Sequence, residues 1–313
     1  MTAPAARPAV RPGLVVVDKP GGMTSHDVVS RVRRLVGTRK VGHAGTLDPM
    51  ATGVLVLGVD RATRLLGHLM LTDKGYDATV RLGVATTTDD AEGEVLAATP
   101  AGHLDEDAVH AVLAEFVGEL QQVPTAVSAI KVDGKRAYQR VRDGEQVELQ
   151  ARAVTVHELV VHEVRRGAHG PGHEAGHGDA VEVVDVDISL RCSSGTYVRA
   201  IARDAGARLG VGGHLTALRR TAVGPYGLDV ARTLEELADE VAAGHGGVLP
   251  IADAARAAFP ARDLDDSAAA DVRVGRSLDL ELDATTAVFA PSGEFLALYE
   301  PRGGLARPVA VFV

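Results

Sequence analysis

Apolar and polar residues alternate along two segments of the chain with the period of a half-buried β-strand. Residues 76–84 put every second side chain on one apolar face, and residues 184–192 alternate in the same way. Residues 14–17 and 54–59 are continuous apolar runs, which predict fully buried strands. Residues 154–164 complete a set of five predicted strands, and together they indicate a central sheet.

Helix signals lie between the predicted strands. Thr24 and Asp27 form a capping box, and Gly37 is expected to end the helix that this box opens. Apolar residues recur at helical spacing over residues 104–117, where Asp105 is the expected N-cap. The chain is therefore expected to contain both helices and strands.

The composition is that of a globular protein with an aliphatic core. Apolar residues make up 46% of the 313 residues, whereas aromatic residues make up only 3%. No apolar run reaches the roughly 18 residues of a membrane-spanning helix, so we expect no membrane partner. Residues 1–12 are Ala- and Pro-rich and lack a signal-peptide core, which predicts a disordered tail. Because Cys192 is the only cysteine, an intrachain disulfide is excluded and a cytoplasmic location is expected.

Charge is distributed unevenly along the chain. The net charge of −9 argues against nucleic-acid binding only when it is taken alone. Residues 26–40 contain five Arg or Lys and one Asp, and residues 191–220 contain six Arg and one Asp. Residues 251–313 contain ten acidic residues and six Arg. The pattern is consistent with a basic face followed by an acidic C-terminal segment, or with an ordinary solvated surface.

The strongest candidate for chemistry is an acidic residue in a stiff loop. Asp48 lies within residues 42–53, Gly-His-Ala-Gly-Thr-Leu-Asp-Pro-Met-Ala-Thr-Gly, directly before the predicted strand 54–59. Pro49 fixes its own φ and biases Asp48 towards an extended conformation. The loop therefore holds one carboxyl group at the edge of the core. Without the rest of the string, an ordinary Asp-Pro turn would be the simpler interpretation.

A second motif points to metal chemistry that the local sequence does not support. Residues 173–177, His-Glu-Ala-Gly-His, match the H-E-x-x-H pattern of zinc proteases. That chemistry needs both histidines on one helical face, and the glycines and proline in 165–179 disfavour a helix. We expect a flexible His/Gly-rich segment and no catalytic metal. No phosphate-binding loop or dinucleotide fingerprint is present, so no cofactor is expected.

Several blocks resemble, in order, the motifs of the TruB family of tRNA pseudouridine synthases, and they span about Val15 to Thr221. These blocks are Lys19–Ser25, Gly42–Gly53, Lys74–Tyr76, the polar loop Thr86–Gly93, Gln122–Tyr138, Ser193–Arg199 and Leu215–Thr221. The resemblance implies an α+β fold, with a mixed, mainly antiparallel central sheet and flanking helices in residues 13–250 and the flexible insertion at 165–179. It also implies a small β-rich, PUA-like RNA-binding domain in residues 251–313.

The resemblance also assigns roles to residues. Asp48 is expected to be the nucleophile, Tyr76 to stack on the target base and take part in proton transfer, and Arg199 to pair with Asp48. A carboxylate buried in a dry pocket needs such a cation if it is to stay ionised. His43 is expected to contact the flipped nucleotides, and Leu218 to wall the pocket. The expected phosphate contacts are Lys19, Arg31, Arg34, Lys131, Arg219 and Arg220.

The implied activity is the isomerisation of uridine to pseudouridine at position 55 in the T loop of tRNA, with the base flipped out of its stack. The T stem-loop is the expected partner, and no obligate protein partner is expected. A guide-RNA-dependent enzyme of the dyskerin type and a non-catalytic tRNA-folding chaperone are the alternatives. The sequence leaves open whether Asp48 attacks C1′ or C6, or abstracts a proton in a glycal route.

Overall fold

The structure is a computed structural model that describes residues 11–125, 150–170, 180–244 and 247–313, and the backbone of 131–132 and 135–136. The strands are β1 (Gly13–Lys19), β2 (Val41–His43), β3 (Thr52–Val59), β4 (Lys74–Leu82), β5 (Val84–Thr86), β6 (Val95–Ala98), β7 (Gly118–Gln122), β8 (Lys131–Val132), β9 (Lys135–Arg136), β10 (Arg152–His169), β11 (Val181–Cys192), β12 (Gly213–Val223), β13 (Tyr226–Gly227), β14 (Leu249–Pro250), β15 (Ala261–Asp263), β16 (Thr286–Phe289), β17 (Phe295–Arg302) and β18 (Leu305–Val311). The α-helices are α1 (Ser25–Val36), α2 (Leu66–Leu69), α3 (Glu106–Ala114), α4 (Val198–Arg208), α5 (Leu234–Ala242), α6 (Ile251–Ala258) and α7 (Asp266–Arg273), and a 3₁₀ helix spans Asp60–Leu65.

A ten-stranded sheet forms the body of the protein. Its order is β14-β1-β3-β12-β4-β11-β10-β7, with β2 paired to β3 and β13 paired to β12. Every pairing within it is antiparallel except that of β12 with β3, where Arg219 lies opposite Thr52. The predicted mixed, mainly antiparallel sheet is therefore confirmed, and β12 is the strand that connects β3 to β4.

The two faces of the sheet bury different sets of aliphatic side chains. Val15 and Leu55 face one core, which also contains apolar residues of α1, α3, α4 and α5. Leu14 and Val56 face a second core, which is closed by α2, α6 and part of the C-terminal sheet. Neighbouring residues in β1 and β3 point to opposite faces and are all buried, which explains why these strands have continuous apolar sequences.

Local signals set the ends of the predicted helices. In α1, the Thr24 hydroxyl accepts a hydrogen bond from Asp27 N at 3.1 Å, while the Asp27 carboxylate accepts one from Thr24 N at 3.0 Å. Gly37 ends this helix in the left-handed region, with φ of 74°. Asp105 caps α3 as predicted, because its carboxylate accepts from Ala108 N at 2.8 Å.

Strand β10 is longer than the sequence predicted. It continues through His169, because Arg165 forms an ion pair with Asp187 of β11 and Arg166 donates to the Gly102 carbonyl oxygen. The expectation of a flexible segment from residue 165 is therefore wrong for residues 165–169. The H-E-x-x-H motif at 173–177 lies outside the described residues.

The C-terminal region forms a separate four-stranded sheet in the order β15-β16-β17-β18. It is β-rich as predicted, and it also contains the helix α7, which Asp265 caps. Phe295 and Phe312 extend the second core, and Arg61 Nη1 donates to Phe312 O at 2.8 Å. The C-terminal sheet therefore packs directly against the body of the protein.

Among the described residues, no helix is long and apolar enough to cross a membrane.

Candidate active site

A pocket of about 270 Å³ lies where the Asp48 loop meets β4, β12 and the start of α4. Its lining combines one carboxylate, several cations and an apolar wall. The lining residues are Gly45, Thr46, Leu47, Asp48, Met70, Lys74, Tyr76, Ser194, Gly195, Thr196, Tyr197, Val198, Arg199, Leu218 and Arg220. Asp48, Tyr76, Arg199 and Leu218 were singled out from distant parts of the sequence, and the fold brings all four to this pocket.

The Asp48 loop is fastened to the body of the protein on both sides of the aspartate. The buried Ser25 hydroxyl accepts from Leu47 N at 2.9 Å and donates to Leu47 O at 3.1 Å. At the other end, Gly53 has a φ of +97°, and a Cβ there would lie 2.2 Å from the Arg220 carbonyl oxygen. Only glycine fits this position, because it needs both a left-handed backbone and close contact with β12.

Two buried cations hold the same loop from inside. Lys19 Nζ donates to three carbonyl oxygens, including that of Pro49 at 3.1 Å, and the residue is 0% exposed. The Arg220 guanidinium donates to Val54 O at 2.7 Å and to Gly45 O at 3.2 Å, and the residue is 1% exposed. The prediction that these two residues contact RNA phosphates is therefore wrong, because both side chains are buried and bonded to backbone carbonyls.

Arg199 connects the Asp48 carboxylate to a second one. Its Nη2 lies 3.0 Å from Asp48 Oδ1, and its Nη1 lies 3.1 Å from Asp90 Oδ2. Nη1 also donates to Thr88 O at 2.9 Å. The Arg199 and Asp90 side chains are only 6% and 3% exposed, whereas that of Asp48 is 32% exposed at the pocket mouth. The loop after β5 thus fixes Arg199 through Nη1, and the guanidinium presents Nη2 to the Asp48 carboxylate.

The electrostatics of Asp48 are a balance of opposing effects. Burial raises the pKa of the Asp48 carboxyl group above its usual value, and the negative charge of Asp90 adds to this rise. The positive charges of Arg199, Lys19 and Arg220 lower the same pKa, with Arg199 the largest of the three. The ionised form of Asp48 therefore depends on the surrounding cations, as the sequence argument required.

Tyr76 and Leu218 supply the apolar wall of the pocket. They lie on the neighbouring strands β4 and β12, and each is 8% exposed. Burial raises the pKa of the Tyr76 phenol, while its charge interaction and hydrogen bond with Arg220 oppose that rise. Tyr76 is therefore a neutral phenol at physiological pH, and it lines the pocket.

The other predicted contacts lie outside the pocket lining. His43 lies on β2, where its ring makes an edge contact with His26 at 5.9 Å between centroids. Arg31 and Arg34 are exposed on α1. The guanidinium of Arg219 is paired with both carboxylate oxygens of Asp18, at 2.7 and 3.1 Å. Lys131 belongs to β8, and its side chain lies outside the described part of the structure.

Sequence reasoning missed the structural importance of two residues at the site. Asp90 belongs to the polar loop 86–93, and nothing in that string distinguishes a buried aspartate from a solvated one. Lys74 was named only as the first residue of the Lys-Gly-Tyr block, with no role of its own, and it is buried in the pocket wall. Burial lowers the pKa of Lys74 to about 8. The one signal available in the sequence was spacing, because Lys74 lies two residues before Tyr76 and therefore on the same face of the strand.

Candidate metal ligands were predicted only at residues 173–177, which lie outside the part of the chain that the structure covers. Within the covered part, no group of three or more His, Cys, Asp or Glu side chains is arranged to hold a metal ion.

Comparison with known proteins identifies the family. The model for the TruB family pseudouridylate synthase N-terminal domain matches residues 33–198. Models for the tRNA pseudouridylate synthase B C-terminal domain and the tRNA pseudouridine synthase II C-terminus match residues 199–247 and 259–313. A protein of Thermobifida fusca (strain YX), named tRNA pseudouridine synthase B, is 57% identical over 301 residues, covering 96% of this chain and 98% of that protein.

The chain belongs to the TruB family.

Other relatives agree with this assignment. Proteins of Nocardia farcinica (strain IFM 10152) and Arthrobacter sp. (strain FB24), both named tRNA pseudouridine synthase B, are 56% and 55% identical to this TruB chain. The matches cover 99% and 96% of the chain, and 96% of each relative. The TruB chain is therefore an isomerase of the pseudouridine synthase type.

Solved structures share the fold. A chain in the crystal structure of a Cbf5-Nop10-Gar1 complex matches the TruB chain with a TM-score of 0.71 and 25% identity, covering 97% of this chain and 86% of that one. A chain in the structure of an H/ACA RNP bound to a substrate RNA containing 2′-deoxyuridine gives a TM-score of 0.68 at 24% identity, covering 96% and 85%. The pseudouridine synthase fold predicted from the sequence is confirmed.

Proposed function

We propose that this TruB protein isomerises uridine 55 in the T loop of tRNA, with Asp48 as the nucleophile. The names of the full-length relatives support tRNA as the substrate. The observation that carries the assignment of Asp48 is its pairing with Arg199 at 3.0 Å in a pocket walled by Tyr76 and Leu218. The reaction breaks the N1–C1′ bond and forms a C5–C1′ bond, so it needs no redox partner.

The pocket suits a base that has left the RNA stack. At about 270 Å³, it is close to the lower end of the 300–1,000 Å³ typical of small-molecule sites. It therefore accepts one extruded nucleotide and excludes folded RNA, and extrusion costs a few kcal/mol. Tyr76 offers a ring face for stacking, and Leu218 closes the apolar side. Asp48 is the most exposed member of the Asp48–Arg199–Asp90 chain and thus the one that an entering nucleotide meets.

An ionised Asp48 serves each chemical route that remains open. Attack on C1′, attack on C6 and removal of a sugar proton all begin from the carboxylate form. Arg199 holds that form and offers no proton to it, because a guanidinium is not deprotonated in proteins. In this proposal the buried, protonated phenol of Tyr76 lies beside the base and takes part in a later proton transfer.

The test is to map pseudouridine in an unmodified tRNA transcript after incubation with the purified chain. We expect product only at position 55, none with Asp48→Asn, and none in a transcript carrying cytidine at that position. Asp77→Asn is the matched control, because Asp77 lies one residue from Tyr76 on the exposed face of β4. Wild-type product with Asp48→Asn would exclude the nucleophile, and product at another uridine would exclude the T-loop site.

The same assay separates the guide-RNA-dependent alternative. An enzyme of that kind would be inactive on a bare transcript without its guide and partner proteins. The identity of 55–57% to relatives named tRNA pseudouridine synthase B, against 25% to the Cbf5 chain, favours action without a guide.

A further inference from the structure

Two large apolar side chains are exposed at the rim of the Asp48 pocket. Met70 and Leu71 form the turn between α2 and β4, and they are 44% and 75% exposed. Met70 also belongs to the pocket lining together with Asp48 and Tyr76. We call this pair, Met70 and Leu71, the apolar lip.

The backbone of the lip is fixed by bonds from two elements of the site. Met70 O accepts hydrogen bonds from Lys74 Nζ at 2.8 Å and from Ser194 Oγ at 2.6 Å. Lys74 Nζ also donates to Thr72 O at 2.6 Å, and Leu71 N donates to His68 O of α2 at 3.2 Å. Lys74 lies two residues before Tyr76, and Ser194 lies five residues before Arg199. The lip therefore keeps a constant position relative to the catalytic groups.

This arrangement keeps the apolar side chains of the lip in water, which is unfavourable in free energy. A flexible turn would fold Leu71 back against the protein, whereas the hydrogen bonds to the turn backbone keep the side chain at the surface. Lys74 is buried and its ammonium group is committed to two carbonyl oxygens of the turn, while the guanidinium of Arg191 is paired with Asp73 at 3.0 Å. The lip thus has the chemistry to contact an apolar face and none to contact a phosphate.

Flipping a base exposes such faces in the substrate. When one nucleotide leaves a stacked loop, its neighbours lose a stacking partner, and their faces become available for contact with a protein. A thioether and a branched aliphatic side chain make sequence-tolerant contacts with such π-faces. Met70 lines the pocket, so the lip begins where the pocket ends. A nucleobase at the lip is therefore a neighbour, in the same RNA strand, of the base inside the pocket.

We propose that the apolar lip receives the unstacked nucleobase next to the target uridine and so stabilises the opened RNA loop. The proposal rests on the proposed function for its substrate. It makes Leu71 a substrate-binding residue and Lys74 a positioning residue, which acts by holding the turn.

The first measurement is equilibrium binding of the full chain to an unmodified tRNA transcript as a function of salt. We expect Leu71→Ser to raise Kd by about 3- to 10-fold, the loss of one partly buried aliphatic contact. The slope of log K against log salt should stay at the wild-type value, because no phosphate contact is removed. Leu96→Ser is the matched control, since Leu96 is 67% exposed on β6 and is not part of the pocket lining.

A second measurement reports the base itself. Transcripts carrying 2-aminopurine on either side of the target position should change fluorescence on binding the wild-type chain, and less so on binding Leu71→Ser. Leu71→Met should restore both the fluorescence change and Kd, because it restores an apolar side chain of similar size. In turnover assays the loss should appear in KM, with kcat within about twofold of wild type.

The outcomes are separable from those of the proposed function. Equal Kd for Leu71→Ser and Leu96→Ser would overturn the lip, even if the wild type modifies position 55. A reduced salt slope in Leu71→Ser would also overturn it, because that result would indicate a phosphate contact. Failure of the wild type to modify position 55 would overturn the proposed site, while the binding comparison still decides the role of Leu71.

Discussion

The Nη1 atom of Arg199 lies 3.1 Å from Oδ2 of Asp90, and both side chains are almost fully buried. The same guanidinium contacts the more exposed Asp48 through Nη2. Asp90 therefore orients the arginine without lining the pocket itself. Its other carboxylate oxygen is also bonded within its own loop, where it accepts from Glu92 N at 3.1 Å.

Replacing Asp90 should change the rate and the pH profile in different ways. In Asp90→Asn, Arg199 loses one of its two anchors, and we expect kcat to fall by about 10- to 100-fold through misplacement. Because the negative charge of Asp90 raises the pKa of Asp48, its removal should move the acidic limb of kcat/KM to lower pH. Asp89→Asn is the control, because Asp89 pairs with Arg203. An unchanged acidic limb would contradict the charge coupling.

Arg199 itself should separate activity from stability. Arg199→Lys keeps the charge but reaches only one of the two carboxylates, so we expect a loss in kcat with little change in Kd for RNA.

Arg199→Ala should also lower the free energy of unfolding by about 3–5 kcal/mol, because it leaves Asp90 buried beside no cation. Urea denaturation of Arg199→Ala and of Arg199→Ala/Asp90→Ala checks this. A double variant no more stable than the single one would exclude the explanation.

Gly53 should tolerate no side chain. A Cβ would clash with the Arg220 carbonyl oxygen, which is in the backbone of β12 and has no freedom to move. We expect Gly53→Ala to lower the free energy of unfolding by about 3 kcal/mol or more, combining steric and left-handed strain. Gly37→Ala is the matched control with φ of +74° and open space around it, and should cost about 1 kcal/mol. Thermal melts that give equal losses would refute the clash.

The buried Lys19 predicts a rise in stability at alkaline pH. Burial lowers its pKa to about 8 from the reference value of 10.5. Between these two values the unfolded chain binds the proton and the folded chain does not, so the free energy of unfolding increases with pH. From pH 8 to 9.5, the wild type should gain about 1–2 kcal/mol more than Lys19→Met does. Lys40→Met, at an exposed site, should follow the wild type.

Salt dependence should distinguish the exposed arginines of α1 from an exposed arginine that is paired within the protein. Arg31→Ala and Arg34→Ala should each reduce the slope of log K against log salt by about 0.7–0.9, the value for one lost phosphate contact. Arg208→Ala should leave it unchanged, because Arg208 is paired with Glu115 and covers the Phe116 ring. Slopes equal to wild type in both α1 variants would remove this helix from the RNA interface.

The sequence was sufficient to predict residues that share one pocket, but not the residues that support them. Asp48, Tyr76 and Leu218 were found from local patterns, which are the glycines of a loop, the alternation of a strand and the order of the motifs along the chain. The phosphate assignments for Lys19 and Arg220 failed for a physical reason. The local sequence does not distinguish a cation that donates to backbone carbonyls inside the protein from a cation that contacts phosphate at the surface. Burial is a property of the whole sheet, and no local pattern records it.

The place of β12 between β3 and β4 determines when the site can form during synthesis. The Asp48 loop precedes β3, and Tyr76 lies on β4, so both leave the ribosome early. The two strands do not pair with each other, and only β12, some 130 residues later, joins them. Closing such distant pairings is entropically costly and slow. A nascent chain therefore carries Asp48 and Tyr76 for most of its synthesis without a pocket, because the pocket needs β12.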